Sequence, residues 1–154
     1  MDKTKLIERC KEWEGSPYLH MGNNKFGIDC TKLIANIFKD LGFISKVENV
    51  RLPRDWMGHT KEEITIKEFG RHIDEYSKKY TYTLGKYVPD DISAGDVVFF
   101  RLNPLYPCSH TAIAIDKEKI FHAIDGIGCH FTHFGIYWRR QAEFTMRLVE
   151  RTES

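Results

Sequence analysis

Apolar residues return every three or four positions in the first half of the chain and gather into short runs in the second. Leu6, Ile7, Cys10 and Trp13 fall on one stripe, which predicts a first helix. The Gly, Pro and Asn residues of "EGSPYLHMGNN" predict a loop after it. Leu33, Ile34, Ile37, Phe38 and Leu41 predict a second helix that starts near Cys30 and stops at Gly42. "RLPRDWMGH" reads as irregular. Thr60 and Glu63 have the spacing of a capping box, and Ile66, Phe69, Ile73, Tyr76 and Tyr80 predict a third helix behind it. After "PDDISAGD" the pattern changes. "VVFFRL", "TAIAI", "KIFHAI" and "EFTMRLV" are rich in β-branched and aromatic residues and predict strands. Short links between them imply an antiparallel sheet. Helices first and strands after is the α+β pattern, with the helices packed on one face of the sheet and residues 1–154 forming one domain.

Composition narrows the function by exclusion. With 23 Lys and Arg against 22 Asp and Glu, the chain has no basic field to drive nucleic-acid binding. No apolar run approaches the ~20 residues that cross a bilayer. "MDKTKLIERCKEWEG" is a charged amphipathic start without a signal-peptide pattern, so the expected location as synthesised is cytoplasmic. Cysteines stand at 10, 30, 108 and 129 without a CxxC, and free thiols are expected rather than disulfides.

Cys30 is where chemistry enters. Asp29 is a suitable N-cap, which puts Cys30 in the first turn of the second helix. There the helix dipole and unpaired N–H groups favour an anion, so the thiol is expected to ionise more readily than its ordinary pKa of ~8.5 allows. The same residue shares a face with Ile34, Ile37 and Leu41, so this stretch taken alone favours a core cysteine over a nucleophile.

Two histidines tip the balance. His110 opens "HTAIAI", and His122 lies twelve residues later in "KIFHAI". A cysteine nucleophile needs a base, and the base needs a group to orient it. His110 fits the first role and His122 the second. The assignment requires both rings on one face of the sheet. A plain two-residue turn at Lys117–Glu118 would pair Ile113 with His122 and separate the rings. A three-residue loop, or an equivalent bulge, pairs Ala112 with His122 and makes the histidines diagonal neighbours.

At these residues the chain resembles the NlpC-type cell-wall cysteine peptidases, which have a papain-like fold. "GSPY" (Gly15–Tyr18), "DCTKL" (Asp29–Leu33), "GDVVFF" (Gly95–Phe100), "HTAI" (His110–Ile113) and "FHA" (Phe121–Ala123) follow that family's order of motifs. "LPRDW", "RLNPLYPCSH" and "YWRRQ" are similar to its phage-tail and gene-transfer-agent branch. The resemblance implies a peptidase that cuts peptidoglycan stem peptides beside D-glutamate and diaminopimelate, without a metal or cofactor. Cys30 would attack, His110 would serve as base and then acid, and His122 would orient it. Tyr18 and the Cys30 N–H would meet the substrate or the oxyanion. Asp29 reads first as the helix cap, with a contact to a substrate amine as its alternative role. Particle proteins of a phage would be the partners, and delivery with the particle or on lysis would bring the protein to the wall. Lys32 stands where the family has glycine, and it would either change substrate approach or point to solvent.

Three other readings compete. Cys108, His110, His122, Cys129, His130 and His133 are zinc-type ligands in one region, although their spacing matches no common paired knuckle. A catalytically silent virion component and a Cys–His acyltransferase complete the set. His59 and His72 have no matching partners in the sequence and receive no role.

Overall fold

Asp2 opens the first helix, α1 (Lys3–Trp13), by accepting the Thr4 and Lys5 backbone N–H groups. In this computed structural model, which describes residues 1–49, 52 and 55–152, the apolar stripe of α1 buries Leu6, Cys10 and Trp13. A short hairpin, β1 (Asn23–Asn24) with β2 (Gly27–Ile28), leads into α2 (Cys30–Asp40). Asp29 caps α2 as expected, its carboxylate accepting the Lys32 N–H at 2.8 Å. Gly42 ends it at φ +84°, a left-handed geometry that costs glycine little, and the Phe43 N–H returns to the Phe38 carbonyl at 2.9 Å.

Between α2 and the next helix, Trp56–His59 form a 3₁₀ turn. Arg51, Pro53 and Arg54, which belong to the "RLPRDW" segment, lie outside the described residues. The third helix, α3 (Ile64–Tyr76), buries Ile66, Phe69 and Ile73. Two expectations here need correction. Glu63 immediately precedes α3 but makes no capping bond, because its carboxylate is taken by Arg101 and the Cys108 N–H. Tyr80 does not continue the helix. It begins β3 (Tyr80–Lys86), a strand whose Tyr-Thr alternation the helical spacing of Tyr76 and Tyr80 masks.

The remaining elements are β4 (Val97–Phe100), β5 (His110–Asp116), β6 (Lys119–Ile124), β7 (Gly128–His133), the one-turn helix α4 (Ile136–Arg139) and β8 (Ala142–Glu150). The six long strands form one sheet in the order β3-β8-β4-β5-β6-β7, with every neighbouring pair antiparallel. This is the α+β architecture expected of the sequence.

Side-chain alternation gives the sheet two different faces. Val97, Phe99, Ile113, Ile115 and Phe121 pack with Leu33, Ile37, Phe38 and Phe69 in the main core beneath the helices. Val98, Phe100, Ala112, Ala114, Ile120 and Phe134 form a smaller cluster on the other face, against which Trp138 packs.

The β5–β6 register decides where the histidines go. Ile113 pairs with Phe121 and Ala114 with Ile120, yet Asp116 pairs with Lys119. Ile115 is therefore an extra residue, a bulge next to the two-residue turn Lys117–Glu118. The bulge replaces the three-residue loop and gives the same result. His122 comes opposite Ala112, and His110 is its diagonal neighbour on the smaller face.

Candidate active site

Cys30 is the first residue of α2, where the helix meets the start of β5. Its sulfur lies 3.7 Å from the Ser109 carbonyl oxygen and 3.9 Å from Thr31 Oγ1. Thr31 Oγ1 is in turn 3.3 Å from Thr111 Oγ1, so the first turn of the helix is tied to both sides of His110. Cys30 is only 7 % exposed, but it lines a cleft of about 740 Å³, open mouth included, together with Tyr18, Lys32, Trp56, Phe69 and Ser109. All four cysteines are free, and Cys10, Cys108 and Cys129 are buried in the main core.

The expected ease of ionisation is not what the site provides at rest. Burial pushes the Cys30 thiol up to about 11, and the neighbouring Asp29 carboxylate adds to the rise. The helix dipole is worth less than the removal of a thiolate from water. The resting sulfur is a neutral thiol.

On the other side of the strand end, His110 Nε2 lies 2.8 Å from His122 Nδ1. His122 Nε2 lies 2.8 Å from Thr132 Oγ1. His122 has no exposed surface, and the indole of Trp138 stacks near both rings, at centroid distances of 5.3 Å from His110 and 4.9 Å from His122. Phe100 approaches His110 at 5.5 Å. Burial lowers His110 to about 4. It lowers His122 to about 2, with the neighbouring His110 and His130 adding to the shift. Both rings are neutral at pH 7, so the pair can accept a proton.

Tyr18 is half-buried, pairs with Ile28 in an isolated bridge and lines the same cleft as Cys30. Asp29 acts as the helix cap, and burial raises its pKa against the opposing pull of the Lys32 N–H and ammonium. Lys32 does not point to solvent. It is 7 % exposed, and its Nζ donates to Met21 O at 3.1 Å and to Asn49 Oδ1, with Asp29 Oδ2 at 3.7 Å. The cation fastens two loops to the wall of the cleft.

His72 has a structural place: its Nε2 accepts the Glu48 N–H and its Nδ1 donates to the Glu68 carbonyl. His59 pairs with Asp55 on the surface. The zinc-type residues do not converge. Among the described residues no three His, Cys, Asp or Glu side chains form a group that could hold a metal. Cys108, in the loop before β5, and Cys129, on β7, lie in the helix-facing core, whereas His110 and His122 share the opposite face.

Three residues at the site escaped the sequence reading. Thr132 lies in "CHFTH", outside the four runs that predict strands. Trp138 lies in "YWRRQ", which carried only a family likeness. Glu63, which accepts from Arg101 at 2.8 Å and from the Cys108 N–H at 2.9 Å, looked like a cap.

The NlpC/P60 family profile matches residues 15–146. The chain belongs to the NlpC/P60 family. A Haemophilus influenzae protein named "Probable endopeptidase" is 28% identical over 118 residues, covering 77% of this chain and 56% of that protein. The Escherichia coli K12 protein named "Probable endopeptidase NlpC" is 24% identical over 136 residues, covering 88% of this chain and 71% of that protein. The chain thus spans little more than half of the Haemophilus relative's length. Among solved structures, the NlpC/p60 domain of the peptidoglycan hydrolase SagA matches with a TM-score of 0.61 at 15% identity, covering 96% of this chain and 99% of that one. A Bacillus cereus NlpC/P60 family protein matches with a TM-score of 0.59 at 18% identity, covering 94% of this chain and 39% of that one. These structural likenesses carry the fold, which is that of NlpC/P60 domains.

Proposed function

We propose that this NlpC/P60 domain is a cysteine peptidase that hydrolyses amide bonds in peptidoglycan stem peptides. The observation that carries the reading is the 2.8 Å His110–His122 hydrogen bond at the strand end where the Cys30 sulfur lies against Ser109. The endopeptidase names of the bacterial relatives and the peptidoglycan hydrolase among the structural neighbours support the substrate class.

With Nε2 engaged by His122, His110 has Nδ1 left for the thiol. The thiol is held high and the imidazole low, so a thiolate–imidazolium pair does not form in advance. The proton passes from sulfur to His110 Nδ1 as sulfur bonds to the substrate carbonyl carbon. The carbonyl oxygen takes the negative charge near the Cys30 N–H at the helix start and the Tyr18 hydroxyl. His110 then gives its proton to the departing amine as the C–N bond breaks, leaving a thioester. Water, deprotonated by the same nitrogen, releases the acid and restores the thiol. The bond between D-glutamate and diaminopimelate is the proposed target. Delivery with a phage-like particle is a further proposal, resting on the "LPRDW", "RLNPLYPCSH" and "YWRRQ" segments.

The test compares wild type, Cys30→Ala and His110→Ala on purified sacculi, with released peptides read by mass. Both variants should release none while retaining the wild-type circular dichroism spectrum. Undiminished release by Cys30→Ala would remove the nucleophile and the mechanism with it.

A further inference from the structure

The imidazole pair does not end at His122. Strands β5, β6 and β7 lie side by side and send polar groups to the smaller face of the sheet: His110 from β5, His122 from β6, and His130 and Thr132 from β7. The strand pairing sets His130, not Thr132, directly across from His122, with ring centroids 5.2 Å apart. Yet His130 turns its Nδ1 back to the Gly128 carbonyl at 3.1 Å. The diagonal residue Thr132 takes the second nitrogen of His122 instead.

We propose that Thr132 is a positioning residue whose hydroxyl oxygen accepts the His122 Nε2–H and thereby fixes the proton order along the chain His110–His122–Thr132. The inference deepens the peptidase reading and rests on it for its kinetic consequence.

Two proton orders fit the two 2.8 Å contacts. In the first, His110 Nε2–H donates to His122 Nδ1, and His122 Nε2–H donates to Thr132 Oγ1. His110 Nδ1 then carries a lone pair. In the second, the threonine hydroxyl donates to His122 Nε2, His122 Nδ1–H donates to His110 Nε2, and the His110 proton sits on Nδ1. Only the first leaves His110 Nδ1 free to act as the base of the proposed mechanism. The second also buries an Nδ1–H, and a buried N–H without an acceptor is the costlier orphan. Thr132 is suited to the first order because it is half-buried on the edge strand β7, where its own O–H can turn to water. Among the described residues, the titratable and aromatic groups found against His122 are His110, His130 and Trp138, none of them a carboxylate. A hydroxyl is a weaker anchor than a carboxylate, so the direction of the chain depends on this one contact.

The experiment uses the whole chain labelled with ¹⁵N-histidine, observed at pH 7, with the peptidase assay in parallel. Wild type should show His110 and His122 both protonated at Nε2 and bare at Nδ1. Thr132→Val, which keeps the shape and removes the acceptor, should mix the His122 tautomers. It should also lower kcat about tenfold, the effect of one hydrogen bond, with KM little changed. Thr132→Ser should restore both readouts. A wild-type spectrum with the proton on His110 Nδ1 overturns the proposal whether or not the valine variant folds. Unmixed tautomers in a folded Thr132→Val protein overturn it as well. Loss of the peptidase reading is recognised separately: Cys30→Ala would remain active while the tautomer spectra stayed as expected.

Discussion

The two faces of the six-stranded sheet follow different rules. The helix-facing side is filled with phenylalanine and branched aliphatic side chains, pressed under α2 and α3. The opposite side is shallow, with Ala112 and Ala114 where the other face has Ile113 and Ile115. Those small residues leave room for two imidazoles at the end of β5 and β6, roofed by the single turn of α4 through Trp138. The thiol arrives from the helix side and the imidazoles from the other. They can meet only at a strand end, where no further residue of β5 stands between the faces. This explains why His110 is the first residue of its strand and why Cys30 touches the carbonyl just before it. One face supplies the stability that holds the other in place.

The sharpest separation of these duties comes from Phe99, fully buried on the helix side against Phe69. Phe99→Ala should lower unfolding stability by about 3–5 kcal/mol in a denaturant titration while the alkylation rate of Cys30 in the folded protein stays within about twofold. A site that fails along with the core would show that the two faces are not independent.

Acid should reveal the opposite face. His110 is held near 4 by burial, below the ~6.5 of an exposed histidine. Between those values the unfolded chain takes up a proton that the native ring refuses, so stability falls as pH drops from 6.5 to 4, and the His110 share of the loss levels off below. His110 alone accounts for about 3 kcal/mol of it, and His122, lowered further, adds in the same direction. Replacing His110 with Ala should flatten this part of the stability–pH curve. An unchanged slope would mean that the ring is more hydrated than its burial implies.

The sequence made much of this legible. The stripes of α1 and α2 and the cap at Asp29 followed from periodicity and turn chemistry. The antiparallel sheet followed from short β-branched runs with short links. The site was legible conditionally. Residue types named Cys30, His110 and His122, but the pairing of the two imidazoles depended on one bulge at Ile115, and no residue in "TAIAIDKEKI" marks it. The thiol's neutrality was hidden for another reason. Its position at a helix start was visible, but its burial against β5 arises only in the tertiary structure, and burial outweighs the dipole. Lys32 and Glu63 misled because a charge next to a helix start reads as solvated or capping, whereas each instead ties distant loops together. Thr132 and Trp138 gain meaning only from the strand and the turn beside them.

The roof over the imidazoles gives a smaller and more specific effect. Trp138 is half-buried, and Trp138→Ala should cost about 2 kcal/mol, less than a full core truncation. Water would then reach His110, and its titration midpoint, followed by NMR, should climb from about 4 towards the ordinary value. A midpoint that stays low would place the desolvation in the sheet and Phe100 rather than in the α4 roof.

The smallest effect tests whether the two faces communicate at all. Glu63 belongs to the helix side, immediately before α3, yet its carboxylate holds Arg101 and the Cys108 N–H, which bracket the loop from β4 to β5. That loop ends at Ser109, next to His110, so a group on one face is tied to the start of the strand that carries His110 on the other. Glu63→Gln keeps the volume but can offer only one acceptor oxygen to two donors, and its amide N–H must face one of them. The pair with Arg101 is about three-quarters buried, so the expected loss of stability is about 1 kcal/mol. The more telling readout is local. Amide exchange of residues 102–109 should quicken while that of α2 and the β5–β6 ladder holds, and peptide release should fall several-fold through kcat. If loop exchange is unchanged, Glu63 is only a surface ion pair, and the strand end is positioned by the Thr31–Thr111 and Cys30–Ser109 contacts alone.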